Sequence, residues 1–245
     1  MVTNLGAGPA TEANEALARS AIYSLLSQVF SYPTPAATRE LLEEDVPFAV
    51  AVSAPLPEPV RRALEELAAG LEGATAGGLE AAYRRVFTHV HSVDSPLYET
   101  DYTAREIWRS SQELADLAGF YRAFGMEQVA ERPDQVAVEL EFLHVVAYKA
   151  AWALVQRDLE HAEICVRAEE AFLRDHVLKW VPGFVERVAT IAEGGPYASA
   201  ARLGHELLIS EAQRLGLEIP EDPTPRPVAL GAAPVEETAL CEGEP

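Results

Sequence analysis

Residues 131–154, ERPDQVAVELEFLHVVAYKAAWAL, decide the fold. Pro133 interrupts whatever precedes it. Asp134 then stands where a carboxylate can accept the free backbone N–H groups of a first helical turn. Beyond it, Val136, Leu140, Leu143, Ala147, Ala150 and Leu154 recur at steps of three, four or seven, the period of a helix with one buried stripe. Val138, Phe142, Val145 and Val146 add apolar surface elsewhere. A helix that is apolar on several sides belongs near the centre of a bundle.

The same period recurs outward in both directions. Residues 11–31 place Ile22, Leu25, Leu26, Val29 and Phe30 on one side. Tyr32-Pro33 ends that helix, and Thr34-Pro35 reads as an N-cap with a first-turn proline opening a short helix to about Glu44. Prolines 47, 55, 57 and 59 mark a loop. Val60, Leu64, Leu67 and Leu71 form the next stripe; Gly77-Gly78 breaks it, and Leu79, Tyr83, Val86 and Phe87 resume it. Residues 89–103 read as irregular and 104–124 as helix closed by Gly125. Further helices are expected at about 159–178, 181–193 and 196–216. The fold class is therefore all-α, a single-domain helical bundle over 12–216, with a flexible N-terminus (1–11). A disordered tail (217–245) holds six prolines, seven acidic residues and one arginine.

Composition limits the function. Of 245 residues, 49 % are hydrophobic, enough for a large core, and the formal net charge is −20. That charge repels phosphate backbones and attracts basic peptides, so nucleic acid is excluded as a partner. Cys165 and Cys241 form no CxxC pair, which fits a reducing compartment. The first ten residues carry neither a basic nor an apolar leader region, and no apolar run is long enough to span a bilayer. The expectation is a cytoplasmic chain without membrane insertion, monomer or homodimer, with no cofactor or metal of its own.

Few residues are candidates for chemistry. Glu141 and His144 share a helical face at i and i+3, the spacing of di-metal bundles, but such bundles use the pair twice. A metal-dependent oxidase built on Glu141 and His144 is the rival reading. His89 and His91, with Glu99 and Asp101, offer a loop metal site short of the usual ligand set. No phosphate loop or nucleophile elbow is present. Cys165 lies on a stripe with Ala168 and Phe172, a core position. His176 and Trp180, four residues apart, can stack or simply pack before Pro182.

Four segments taken together resemble the TorD/DmsD/NarJ family of molybdoenzyme maturation chaperones. They are Arg19–Pro33 (RSAIYSLLSQVFSYP); Tyr98–Tyr102 (YETDY) with Glu113–Gly125 (ELADLAGFYRAFG); Glu131–Gln135 (ERPDQ) leading into VELEFL; and Phe172–His176 (FLRDH) with Trp180 and Pro182. The second and third look closest to chaperones of type II dimethyl sulfoxide reductase-like enzymes. The resemblance implies a helical bundle and no catalysis. It implies a partner, the apo catalytic subunit of a molybdenum oxidoreductase with its twin-arginine leader, held until the molybdenum cofactor is inserted. The family signature Glu-x-x-Asp-His is met here by Glu131 and Asp134, with Gln135 in place of the histidine. The candidate partner-binding set is Glu131, Pro133, Asp134, Gln135, Tyr98, Glu99, Tyr102, His176 and Trp180. Glu131 and Asp134 are expected to be exposed together, ready to receive guanidinium groups.

Overall fold

In the computed structural model, residues 8–87, 95–103, 107–127 and 131–220 are described. The order is α1 (Pro9–Phe30), α2 (Pro35–Glu40), α3 (Val46–Val52), α4 (Glu58–Leu71), α5 (Ala76–Phe87), α6 (Thr100–Thr103), α7 (Ile107–Ala123), α8 (Val136–Val155), α9 (Leu159–Phe172), α10 (Leu178–Ile191) and α11 (Gly195–Leu215). Among the described residues the only β pairing is a single antiparallel bridge, Tyr98 to Gln135. No described helix is long and apolar enough to cross a membrane.

α8 is the axis, as its sequence requires. Its inner stripe, Val136, Leu140, Leu143, Ala147 and Ala150, is fully buried, with α1 and α9 as its main neighbours. Ser27 of α1 donates to the Ala137 carbonyl at 2.8 Å and pins the two helices together. A second layer pairs α11 with α4 and α10. Gly204 lets α11 approach α10 closely, since a Cβ there would stand 3.2 Å from Val185. Cys165 is buried in the core, as its stripe implied.

Several boundaries differ from the sequence reading. α1 starts at Pro9, with residues 1–7 outside the described set. Thr34 does cap α2, accepting from the Ala37 N–H. The helix does not stop near Glu44; it runs through a π turn at Leu41–Asp45 into α3, with Pro47 in the first turn of α3. Gly77-Gly78 lies inside α5. α9 continues through a second π turn, Leu173–Val177, into α10, which contains Pro182. Proline lacks the N–H that a continuing helix needs. Both times a π turn, which shifts the hydrogen-bond ladder by one residue, lies shortly before the proline and the helix carries on. Gly216 closes α11 in the left-handed conformation, φ 67°. Leu217 and Ile219, assigned to the tail, pack against the core. Residues 221–245, and with them Arg226 and Cys241, lie outside the described residues, as do His89 and His91.

Candidate functional site

The loop before α6 and the link before α8, with Thr100 and Asp134 34 positions apart in sequence, lie side by side. The Glu99 N–H donates to the Asp134 carbonyl at 2.8 Å, and the Val136 N–H to the Leu97 carbonyl at 2.8 Å. These bonds flank the Tyr98–Gln135 bridge. Beneath them Tyr121 of α7 donates to the Pro133 carbonyl at 2.6 Å.

Asp134 is the knot of this pairing. Its carboxylate accepts from the Thr100 hydroxyl at 2.7 Å and more weakly from the Thr100 N–H at 3.3 Å. Arg132 adds two further bonds, Nε at 3.0 Å and an Nη at 2.8 Å. The guanidinium also lies 4.4 Å from the centre of the Tyr98 ring. Two sequence expectations fall here. Asp134 does not cap α8; Gln135 does, its side-chain oxygen accepting from the Ala137 N–H at 3.1 Å. Nor are Glu131 and Asp134 exposed together: Glu131 is exposed, but Asp134 has 0 % of its surface open. Its guanidinium partner is its own neighbour, Arg132. Both oxygens of this carboxylate, cut off from water, thus have hydrogen-bond partners.

A second buried group adjoins the first. His176, in the π turn before α10, meets Glu99 through Nδ1 at 3.1 Å and Asp116 of α7 through Nε2 at 3.2 Å. Burial pushes the Glu99 carboxyl up, and the His176 bond only partly offsets this. Burial disfavours the imidazolium, but the bond and charge of Glu99, with Asp116, outweigh it and hold His176 above its ordinary value. Trp180 donates from its indole N–H to Glu139 of α8 at 3.0 Å. Glu139 is fully buried, its other oxygen has no partner, and burial with the nearby Glu99 charge drives its carboxyl well up. His176 and Trp180 do not stack on each other. His176 packs on Phe120 and Phe172, Trp180 on Tyr102 and Phe184.

All nine candidate residues thus fall in one neighbourhood, but as a frame. Asp134, Gln135, Glu99, Tyr102, His176 and Trp180 are buried; Tyr98, Pro133 and Glu131 reach the surface. Arg132, Thr100, Tyr121 and Glu139 were missed. Glu139 was legible: it falls three residues after Val136 and four before Leu143, on the buried stripe. Glu141, which was chosen, faces solvent. His144 is held by Ser20, whose hydroxyl lies 2.9 Å from Nδ1. Among the described residues no three His, Cys, Asp or Glu side chains are placed to hold a metal ion.

The frame forms one wall of an open groove of about 490 Å³ between α1 and α8. Tyr121 and Gln135 line it from the frame; Glu127, Glu131 and Glu141 rim it; Met126, Ala137, Val138 and Val145 supply apolar lining. Acidic and apolar lining together suit a chain segment that is both basic and apolar.

Comparison with known proteins agrees with this geometry. Residues 53–186 match the family described as "Nitrate reductase delta subunit". The chain is 29 % identical over 116 residues to a chaperone protein TorD of Vibrio cholerae, 45 % of this chain and 50 % of that one. It is 34 % identical over 115 residues to a selenate reductase assembly chaperone protein of Thauera selenatis, 45 % of this chain and 55 % of that one. The chain spans about half the length of these curated relatives. A crystal structure of a putative redox enzyme maturation protein from Archaeoglobus fulgidus shares the fold, with a TM-score of 0.50 at 21 % identity, covering 78 % of this chain and 93 % of that one. The matched span runs from the end of α3 into α10 and contains every residue of the frame, so the chain belongs to the nitrate reductase delta subunit family, the TorD/NarJ group.

Proposed function

We propose that this chain is a cytoplasmic, system-specific chaperone and not an enzyme. It holds the apo catalytic subunit of a molybdenum oxidoreductase, with its N-terminal leader, until the cofactor is inserted. The observation that carries the reading is the frame joining residues 97–100 to 132–136, inside the family-matched span. Glu99 and Asp134 are engaged on both oxygens by partners within the chain and Glu139 on one, an arrangement that pairs no nucleophile with a base and presents no ligand set among the described residues. What it builds is a stiff wall beside an acidic, partly apolar groove. The names of the relatives, a TorD chaperone and a selenate reductase assembly chaperone, support the same class of partner. The oxidase alternative finds no support in Glu141 and His144: one faces solvent and the other is bonded to Ser20.

The test is genetic and analytical. Deleting the gene in the native cell should leave a molybdenum oxidoreductase of that cell short of molybdenum, and the full chain should restore it. Captured from the same cell, the full chain should carry the cofactor-free form of that subunit. A deletion strain whose molybdoenzymes are all fully loaded overturns the reading.

A further inference from the structure

A groove of about 580 Å³ runs between α10 and α11. Pro182 and Val185 of α10 and Ala201 and Leu208 of α11 give it an apolar floor. Glu186, Arg202 and His205 line it as well and are exposed. Arg202 meets Glu66 of α4 at 3.1 Å, one contact for a group that carries five donors. The chain's own end leads into this groove. Gly216 turns it back, and the Leu217 N–H donates to the Ala212 carbonyl at 2.8 Å. Ile219 then joins the groove lining. Three residues past Gly216 the chain reaches no further than about 11 Å, whereas Gly194, also in the lining, lies about 33 Å along α11 from Gly216. Ile219 therefore stands at the Leu208–Ile209 end, and the chain enters heading towards Gly194.

We propose that residues 221–227 of this same chain occupy the groove as an extended strap that ties α10 to α11. The described residues end at Pro220, and the next seven read Glu-Asp-Pro-Thr-Pro-Arg-Pro. Prolines at 220, 223, 225 and 227 favour the polyproline II form, about 3.1 Å per residue, which has little entropy left to lose on docking. One strap residue then covers about two residues of α11. Counted from Ile219 at the Leu208–Ile209 end, Asp222 comes level with Arg202, and Thr224 with Ala198. Arg226 comes level with the turn before α11, where Glu193 is exposed. The acidic residue meets the basic side chain and the basic residue the acidic one. A segment from another polypeptide competes at a disadvantage, because Ile219 already delivers the strap at high effective concentration. The proposal is independent of the chaperone reading. Its consequence is that this groove is withdrawn from solvent and from apolar segments of other chains.

The test is disulfide trapping in the full chain, with Cys241→Ser and two added cysteines. Ala189→Cys, exposed on the α10 side of the groove, is combined in one protein with Thr224→Cys and in another with Thr238→Cys. Closure under mild oxidation is followed by mass spectrometry, which also identifies the cysteines joined, at several protein concentrations. Circular dichroism should match the parent's, since Ala189 is exposed. The Thr224→Cys pair should close about tenfold faster or more than the Thr238→Cys pair, at a rate independent of concentration. Adding Asp222→Lys and Arg226→Glu keeps the tether and its composition class but inverts its charges. That should slow the Thr224→Cys pair several-fold, by less at high salt. Equal rates for the two pairs, or a Thr224→Cys rate untouched by the inversion, overturn the proposal. So does a product that joins two chains and forms faster as concentration rises, which would give the groove to the tail of a second copy.

Discussion

Two groups of buried charge lie in this bundle, and they are built on opposite principles. Where α1, α9 and α11 meet, Glu169 and Glu211 face Arg19 and Arg214, two carboxylates against two guanidiniums. Arg214 lies 2.6 Å from Glu169, and Arg19 lies 3.4 Å from Glu211 and 3.7 Å from Glu169. Burial pushes both carboxyls up; Arg214 and Arg19 outweigh it at Glu169 and leave that group below its ordinary value, whereas Glu211 stays above its own. In the frame before α8, Glu99, Asp134 and Glu139 share one histidine, one half-exposed arginine and an indole. Both Glu99 and Glu139 are pushed up there, chiefly by burial. The first group is charge-balanced and ties three helices together. The second carries surplus carboxylate and holds two loops beside the acidic groove. Buried ion pairs are costly to break singly, whereas a buried carboxylate held in its acid form behaves as a neutral hydrogen-bonding group.

The comparison is open to direct attack. Glu169→Gln should be the most damaging change, because it leaves Arg19 and Arg214 short of a counter-charge; a loss of about 3–5 kcal/mol is expected in urea unfolding. A shift of only a few tenths would mean that the balanced group is not the stronger tie. Next comes Asp134→Asn. An N-cap at this position would tolerate asparagine, but Asp134 instead accepts from Arg132 and Thr100. Charged hydrogen bonds of this kind are worth about 1.5–3 kcal/mol, so the variant should melt lower by a corresponding amount. Unchanged melting would return Asp134 to a capping role.

Glu139→Gln should cost less than about 1 kcal/mol or stabilise slightly at neutral pH, since it removes a carboxyl whose ionisation burial opposes while leaving an acceptor for Trp180. Its signature is in the pH dependence. A raised carboxyl binds its proton more tightly in the folded state, so stability falls as pH rises from about 4.5, the ordinary value, through the folded value. His176 acts in the same direction: the stability it contributes is full below 6.5 and is lost as pH climbs through its raised value. Glu169 acts oppositely, its contribution present above 4.5 and lost as pH falls through its lowered value. Urea midpoints across acid to neutral pH should therefore decline less steeply in Glu139→Gln. In Glu169→Gln the loss on the acid side should shrink, with other lowered carboxylates such as Asp175 keeping part of it. Parallel profiles for the two variants would erase the distinction between the groups. The smallest effect belongs to Glu141→Gln, two residues on and on the solvent face, which should leave the thermal midpoint where it is; a clear drop would place Glu141 in the frame after all.

Much of the fold was legible because it rests on local repetition. The stripes of α1, α4, α8 and α11 show the 3.6-residue period, and Thr34 and Gly216 mark ends that a cap and a left-handed residue require. The prolines misled: Pro47 read as loop and Pro182 as the start of a separate helix, but each lies within a helix that continues past a π turn. For the site, the period alone places Glu139 inward and Glu141 outward once it is applied to charged residues as well as apolar ones, a step the sequence reading did not take. That Tyr98–Tyr102 belongs with Glu131–Gln135 came from resemblance, since periodicity and spacing gave no sign of it.

The amino-acid sequence by itself determined the helices, the central place of α8, the surplus of negative charge and the lack of a catalytic motif. All of these follow from neighbours within a few turns or from composition. Only the tertiary structure decided what Asp134 does. Its partners Arg132 and Thr100 come from different segments, and whether a carboxylate meets solvent or a guanidinium depends on how the chain closes around it. It also decided that, among the described residues, Tyr148, Trp152 and Val155 on the outer face of α8 stay exposed. Tyr148, Trp152 and Val155 are as apolar as the inner stripe, and a one-dimensional pattern cannot show which of two apolar faces the rest of the bundle will cover.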